Sequence, residues 1–163
     1  MSFPIIFAVA WAVILGLVGG LLTKIGPWYR ELAKPSWQPP DWLFGPAWTV
    51  ILGLAAWAFV LSYDAAAVSG QEGLLIGLYL ANGLAHFLWS PLFFMAKRPD
   101  WALIETPFLW LTVLALAIAL REWSPFASWL IVPYLAWVSF AWVLNWKIVQ
   151  LNAPFGARGQ PSG

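Results

Sequence analysis

The chain contains no cysteine, only one histidine and few charged residues, since Asp, Glu, Lys and Arg make up 9% of its 163 residues. The absence of cysteine excludes disulfide bonds, thiolate nucleophiles and cysteine-ligated metals. The motifs of zinc peptidases, phosphate-binding P-loops and serine hydrolases are also missing. A formal net charge of +1 gives no indication of nucleic-acid binding. These absences favour ligand binding or transport over catalysis, and they predict no protein metal site and no required cofactor.

The chain does contain long apolar stretches. Hydrophobic residues make up 62% of it and the mean hydropathy is +0.78, whereas soluble proteins carry roughly a quarter charged residues. Five stretches, of which only the fourth is interrupted by a charge, are each about 20 residues or more, enough to cross roughly 30 Å of hydrocarbon. They are Phe3–Thr23, Trp42–Tyr63, Gly73–Ala96, Trp101–Leu120 and Trp123–Trp146. We predict an all-α membrane protein, a bundle of five transmembrane helices.

The predicted domain covers residues 1–151 and is followed by a flexible C-terminal tail at 152–163. Within the domain we place helices I to V at about 3–24, 42–65, 73–96, 101–121 and 125–150. Five spans put the first loop and the C-terminus on one side, together with every Lys and Arg except Arg121. The excess of Lys and Arg predicts that this side is cytoplasmic, in an integral, multi-pass protein of a bacterial membrane.

The first loop and the start of helix II, residues 28–48, hold four tryptophans and four prolines. Because proline fixes φ and removes a backbone donor, we expect no regular helix in this segment. Four indoles provide a large apolar area that another surface must cover. We interpret the segment as a rigid aromatic lid over a pocket.

Internal prolines in helices II to V indicate space between the helices, although prolines are also simply commoner in membrane helices than in soluble ones. Counted from the cytoplasmic helix ends, His86 and Trp137 both lie about 15 Å deep. Two faces could line a chamber at this depth. The candidate lining residues are Asn82, His86 and Trp89 on helix III and Trp137, Ala141 and Asn145 on helix V.

A second stripe of helix III, formed by Gly77, Ala81 and Ala85, consists of small residues that let another backbone come close. We predict a homodimer through this stripe, although packing within one chain explains such motifs about as well. Gly16 and Gly20 form a similar pair on helix I.

Two ionisable residues fall inside the spans, where each invites a functional hypothesis. His86 could bond a ligand, ligate a metal or carry a proton, or it could simply bond Asn82 or a threonine. Haem ligation is disfavoured because this is the only histidine, so haem would have a single axial ligand, and the sequence identifies no second-shell partner for it. Glu105 is expected to snorkel or to pair with Lys97 or Arg98.

Three sequence blocks resemble the TspO family, the tryptophan-rich sensory proteins related to the mitochondrial translocator protein. The first-loop signature is Trp28-Tyr29 with Lys34-Pro35, Trp37, Pro39-Pro40, Trp42, Phe44, Pro46 and Trp48. The second and third blocks are WSPLFF from Trp89 in helix III and PYLxW from Pro133 with Leu144-Asn145 in helix V. Together they cover essentially the whole chain in order.

The resemblance implies a five-helix bundle, usually dimeric, that binds porphyrins such as protoporphyrin IX and other flat hydrophobic ligands, including benzodiazepine-type drugs. It implies a receptor, sensor or carrier; the alternatives are a transporter or an enzyme that degrades porphyrin photo-oxidatively, with Trp28 and Trp137 as redox-active indoles. By motif position the pocket contains Trp28, Tyr29, Trp48, His86, Trp89, Trp137 and Ala141. Arg30 or Lys34 could meet the propionates of a porphyrin. The family commonly has Gln and Asn where this chain has Asn82 and His86, so ligand preference is expected to differ.

Overall fold

The computed structural model describes residues 2–155, which form six α-helices and no strand. Five of these helices are long and apolar enough to cross a membrane, and this confirms the predicted five-helix, all-α membrane fold. A short helix lies in the first loop. The helices are α1 (Phe3–Leu22), α2 (Pro27–Glu31), α3 (Asp41–Val68), α4 (Glu72–Ser90), α5 (Pro99–Trp123) and α6 (Pro125–Asn152).

Prolines mark most helix starts, since a first-turn proline gives up no intrahelical hydrogen bond. Pro99 begins α5 and Pro125 begins α6, where the Ser124 side chain accepts from the Ala127 N–H at 3.2 Å. Pro91 ends α4 and opens a π-helical turn, Pro91–Met95, so it does not lie inside a regular helix as expected. A π-turn widens the backbone locally and is frequent at functional sites.

The first loop is more regular than predicted, because part of residues 28–48 is helical. Pro27 is the first residue of α2, and Pro40 directly precedes α3. Proline at these positions permits a helix to begin, whereas the prolines of residues 28–48 were expected only to prevent a regular helix. The non-helical part of the lid is therefore the short stretch between Glu31 and Asp41.

The C-terminal end of α6 also departs from expectation. Asn152, assigned to the flexible tail, is the last residue of α6, and its side chain bonds the first loop. Residues 156–163 of the predicted tail lie outside the described residues.

The five long helices form a closed ring in which α1 packs against α3, α3 against α6, α6 against α5, α5 against α4 and α4 against α1. The half away from the first loop has a solid core that includes the fully buried Phe59, Leu75, Tyr79 and Leu116. A second, smaller core forms around Tyr29 at the loop end. The part of the bundle that is not filled by side chains lies between these two cores, near the first loop.

Glu105 does not snorkel and does not pair with Lys97 or Arg98. Glu105 is a residue of α5, and it is buried, with only 9% of its surface exposed. Neither carboxyl oxygen has a hydrogen-bond partner among residues 2–155. Arg98 instead forms its salt bridge with Asp100, two residues along the chain, and this removes it as a partner for Glu105.

The stripe on α4 is divided between the outside and the inside of the bundle. Gly77 and Ala81 are exposed, and a Cβ added at Gly77 would meet no atom within 4 Å. Ala85 is buried in the core, so it does not belong to the outward face as predicted. The helical repeat of 3.6 residues turns a strict four-residue spacing progressively around the helix, which moves Ala85 inward.

Candidate ligand-binding site

A cavity of about 440 Å³ lies beneath the first loop, between all five long helices. This volume falls within the range of roughly 300–1,000 Å³ found for small-molecule sites, and the walls are mostly apolar. Asp41, at the mouth, is the single formally charged lining side chain among the described residues. The cavity therefore suits a largely apolar guest whose charged groups stay outside.

Aromatic rings form the inner wall. Trp48 of α3 stands edge-on to His86 at 4.6 Å between ring centroids and is 6.3 Å from Trp137 of α6. Trp137 in turn contacts Phe44 and Phe140. Edge-to-face packing at these separations is favourable for aromatic pairs and holds the rings in fixed orientations.

Trp137 separates the cavity from the outside of the bundle. It also lines an outward-facing apolar groove between α3 and α6, which is bordered by Pro46 and Pro133. Its indole N–H is buried and has no acceptor among residues 2–155. Trp137 therefore brings both an aromatic face and an unused hydrogen-bond donor to the cavity wall.

Tyr29 closes the cavity from the first loop. Its hydroxyl donates to the Asp41 carboxylate at 2.9 Å and accepts from Gln38 Nε2 at 3.2 Å. Lys34 Nζ donates to the Tyr29 carbonyl at 2.6 Å and lies 4.1 Å above the ring. Burial and the neighbouring Asp41 carboxylate raise the pKa of Tyr29, so the phenol stays protonated and keeps donating to Asp41.

Asn152 fastens the lid to α6. Its Oδ1 accepts from the Ala33 N–H and its Nδ2 donates to the Ala33 carbonyl, both at 2.8 Å. The same Nδ2 also donates to the Ile148 carbonyl at 2.8 Å. One amide side chain thus satisfies both backbone groups of a lid residue 119 positions away.

Asn152→Ala is expected to increase opening of the lid about tenfold, because two hydrogen bonds of roughly 0.5–1.5 kcal/mol each are lost. Limited trypsin digestion reports this opening as faster cleavage after Arg30. Gln150→Ala is the matched control, since the exposed Gln150 lies on the same turn of α6 and its side chain accepts only from Lys147, on its own helix. Equal cleavage rates in the parent and in Asn152→Ala would show that the contact does not hold the lid.

The structure brings seven of the eleven predicted site residues to the cavity wall. They are Tyr29, Trp48, His86, Trp89, Trp137, Ala141 and Asn145. The Asn145 amide, in the orientation that gives both its atoms partners, donates to the Pro99 carbonyl and accepts from the Leu103 N–H, each at 3.1 Å. Asn145 thus joins α6 to α5, and both polar atoms of its amide already have a protein partner there.

The other four predicted residues lie outside the lining. Trp28 packs edge-on against Phe93 at 6.1 Å, so of the two indoles proposed for photo-oxidation only Trp137 lines the cavity. Arg30 is exposed on the loop, and Lys34 bonds Tyr29. Asn82 is fully buried behind His86.

A hydrogen-bonded group of side chains lies behind His86. Tyr134 donates from its hydroxyl to Asn82 Oδ1 at 3.1 Å, and the same hydroxyl is 3.1 Å from His86 Nδ1. Asn82 Nδ2 donates to Thr112 Oγ1 at 3.0 Å. The group ties α4 to α5 and α6 and fixes the position of the histidine ring.

The lining contains residues that sequence reasoning missed, above all from α1. Gly16 and Gly20 line the cavity, although their spacing was interpreted as a packing motif. A Cβ built on Gly20 would meet no atom within 4 Å, so this part of α1 faces open space. Asp41 and Gln38 were also missed, because their place at the mouth depends on how the loop folds back.

The chain matches the model of the TspO/MBR family over residues 7–151. It is 36% identical over 140 residues to the tryptophan-rich protein TspO of Chlorobaculum tepidum, covering 85% of this chain and 89% of that protein. It is 37% identical to the tryptophan-rich sensory protein of Cereibacter sphaeroides, with 82% of each chain covered. It is 34% identical to the translocator protein of Ovis aries, covering 77% of this chain and 75% of that protein.

Proposed function

The chain belongs to the TspO/MBR family of integral multi-pass membrane proteins, and we propose that it binds protoporphyrin IX and similar flat hydrophobic molecules in the cavity under the first loop. The proposed role is that of a receptor, sensor or carrier. The observation that carries the proposal is the group of packed aromatic rings, Trp48, His86 and Trp137, at the inner wall of a mostly apolar cavity of about 440 Å³. Indole faces offer stacking surfaces to a planar macrocycle.

The charges around the cavity give a proposed orientation for the ligand. No cationic side chain lines the cavity within residues 2–155, and Asp41 at the mouth is acidic. The propionates of a porphyrin would therefore stay near the surface, where Arg30 is exposed. The apolar part of the macrocycle would enter first and lie against Trp48 and Trp137.

The proposed orientation in the membrane puts the lid on the cytoplasmic side. Lys24, Arg30 and Lys34 lie in the first loop, Lys97 and Arg98 join α4 to α5, and Arg121 lies at the opposite end. An excess of Lys and Arg is typical of cytoplasmic loops. The ligand would then reach the cavity from the cytoplasm or from the adjacent leaflet.

Titration with protoporphyrin IX tests the proposal. Binding is expected to quench tryptophan fluorescence until it saturates at one ligand per chain, because Trp48, Trp89 and Trp137 line the cavity. The denatured chain in the same detergent is the control. Quenching that rises without saturation, as in the denatured control, would refute a specific site.

We also propose that the protein forms a homodimer through the exposed face of α4. Gly77 and Ala81 lie on that face and allow close approach of a second helix. The double change Gly77→Leu/Ala81→Leu is expected to halve the sedimenting mass of the detergent-solubilised protein. Gly53→Leu is the matched control, because Gly53 is exposed on α3 with open space beside it. Unchanged sedimentation of the α4 variant would remove this interface.

A further inference from the structure

In the hydrogen-bonded group behind His86, the donor and the acceptor of each bond can be assigned in turn, starting from a backbone carbonyl. The Leu109 carbonyl can only accept, so the Thr112 hydroxyl donates to it, at 2.7 Å. That hydroxyl has a single hydrogen, and its oxygen must therefore accept from Asn82 Nδ2, at 3.0 Å. The amide of Asn82 is thereby oriented with its oxygen toward Tyr134.

The direction of these hydrogen bonds also determines which nitrogen of the histidine ring carries the proton. The Tyr134 hydroxyl donates its single hydrogen to Asn82 Oδ1, so toward His86 it can only accept. The contact of 3.1 Å between this hydroxyl and His86 Nδ1 thus requires a hydrogen on Nδ1. In the neutral imidazole, Nε2 then carries an unshared electron pair and no hydrogen.

His86 Nε2 is available to a ligand. The ring lines the cavity, and Nε2 has no hydrogen-bond partner among residues 2–155. A histidine whose one nitrogen donates to a fixed partner while the other is a free base is the usual arrangement of metal-ligating histidines. Haem ligation was disfavoured from the sequence partly because no such partner could be named, and Tyr134 is that partner.

This single histidine cannot hold a free metal ion, because residues 2–155 contain no group of three or more potential metal ligands. A metal inside a tetrapyrrole is already held by four pyrrole nitrogens and needs only an axial ligand from the protein. Coordination through Nε2 releases no proton, since that nitrogen carries none. The site therefore fits a metal that arrives already bound in a macrocycle.

We propose that His86 Nε2 is the axial ligand of a metallated tetrapyrrole, iron or zinc, and that Tyr134 is the positioning residue that presents it. This inference rests on the proposed function, because it requires the tetrapyrrole to bind in the cavity. It adds a preference: the protein binds metallated macrocycles more tightly than the metal-free one.

The test compares three ligands on the purified full chain in detergent: iron, zinc and metal-free protoporphyrin IX. The metallated forms are expected to bind at least about tenfold more tightly than the metal-free form, as an added coordinate bond implies. The reduced iron complex is expected to show an iron–histidine stretching band in resonance Raman spectra.

Variants separate ligation from packing. His86→Asn and His86→Gln should bring the ratio of metallated to metal-free affinity close to one and abolish the iron–histidine band. Imidazole added to His86→Gly should restore the band. Tyr134→Phe keeps the ring that packs between α4 and α6 but removes the acceptor for Nδ1–H, so the band should move to lower frequency. A merely structural histidine would leave all of these spectra unchanged.

Each result separates this inference from the proposed function. Binding of all three ligands with similar affinity and without an iron–histidine band overturns axial ligation and leaves tetrapyrrole binding in place. A band that persists in the His86 variants overturns the assignment to His86. Failure of all three ligands to bind overturns both proposals.

Discussion

Replacing either Trp48 or Trp137 by alanine is expected to weaken protoporphyrin IX binding by about tenfold to a hundredfold. Each indole offers one face of the cavity wall, and the lost burial of a large aromatic side chain costs roughly 1.5–3 kcal/mol. Fluorescence titration or equilibrium dialysis of the purified variants measures the change. The two rings are 6.3 Å apart and would share one ligand, so the double variant should lose less than the product of the single effects.

Trp129→Ala is the control for these two variants. Trp129 is 71% exposed in the first turns of α6, at the end of the bundle away from the lid. Its loss removes an indole from the chain without changing the cavity, so affinity should stay within about twofold. Parent-like affinity in both Trp48→Ala and Trp137→Ala would mean that the ligand binds elsewhere.

The membrane fold could be predicted because it depends on composition and length alone. Five apolar stretches of about 20 residues leave few alternatives, since backbone groups in lipid must be satisfied within each helix. The helical repeat then placed His86 and Trp89 on one face of α4, and Trp137 and Ala141 on one face of α6. These four residues do line a common cavity.

What could not be predicted depends on contacts between distant segments. Nothing near Asn152 in the sequence indicates that it bonds Ala33, and nothing near His86 identifies Tyr134 as its partner. Both contacts require the order of helices around the bundle, which periodicity does not provide. The burial of Glu105 was missed for the same reason, because an aqueous or cationic neighbour was assumed and Arg98 pairs with Asp100.

Gly83→Ala is expected to destabilise the fold by about 1–3 kcal/mol, as overpacking of a well-filled core does. A Cβ at this position would lie 2.9 Å from Trp11 Nε1, nearer than a Cβ carbon normally comes to another heavy atom that is not bonded to it. That indole N–H donates to the Tyr79 carbonyl at 2.9 Å, so the ring cannot move away without stretching the bond. Leu15 also lies against this position, with its Cδ1 3.8 Å from the added Cβ, so little space is left there.

Gly73→Ala provides the opposite case on the same helix. A Cβ at Gly73 meets no atom within 4 Å, and alanine is the better helix former by up to about 1 kcal/mol. Thermal unfolding in detergent should therefore show a lower midpoint for Gly83→Ala and an equal or higher midpoint for Gly73→Ala. If both changes raised the midpoint of thermal unfolding, helix propensity would outweigh packing at Gly83. Trp11 of α1 would then not lie as close to α4 as the structure places it. If only Gly83→Ala lowers the midpoint, glycine is required there because the indole of α1 occupies the space of a side chain.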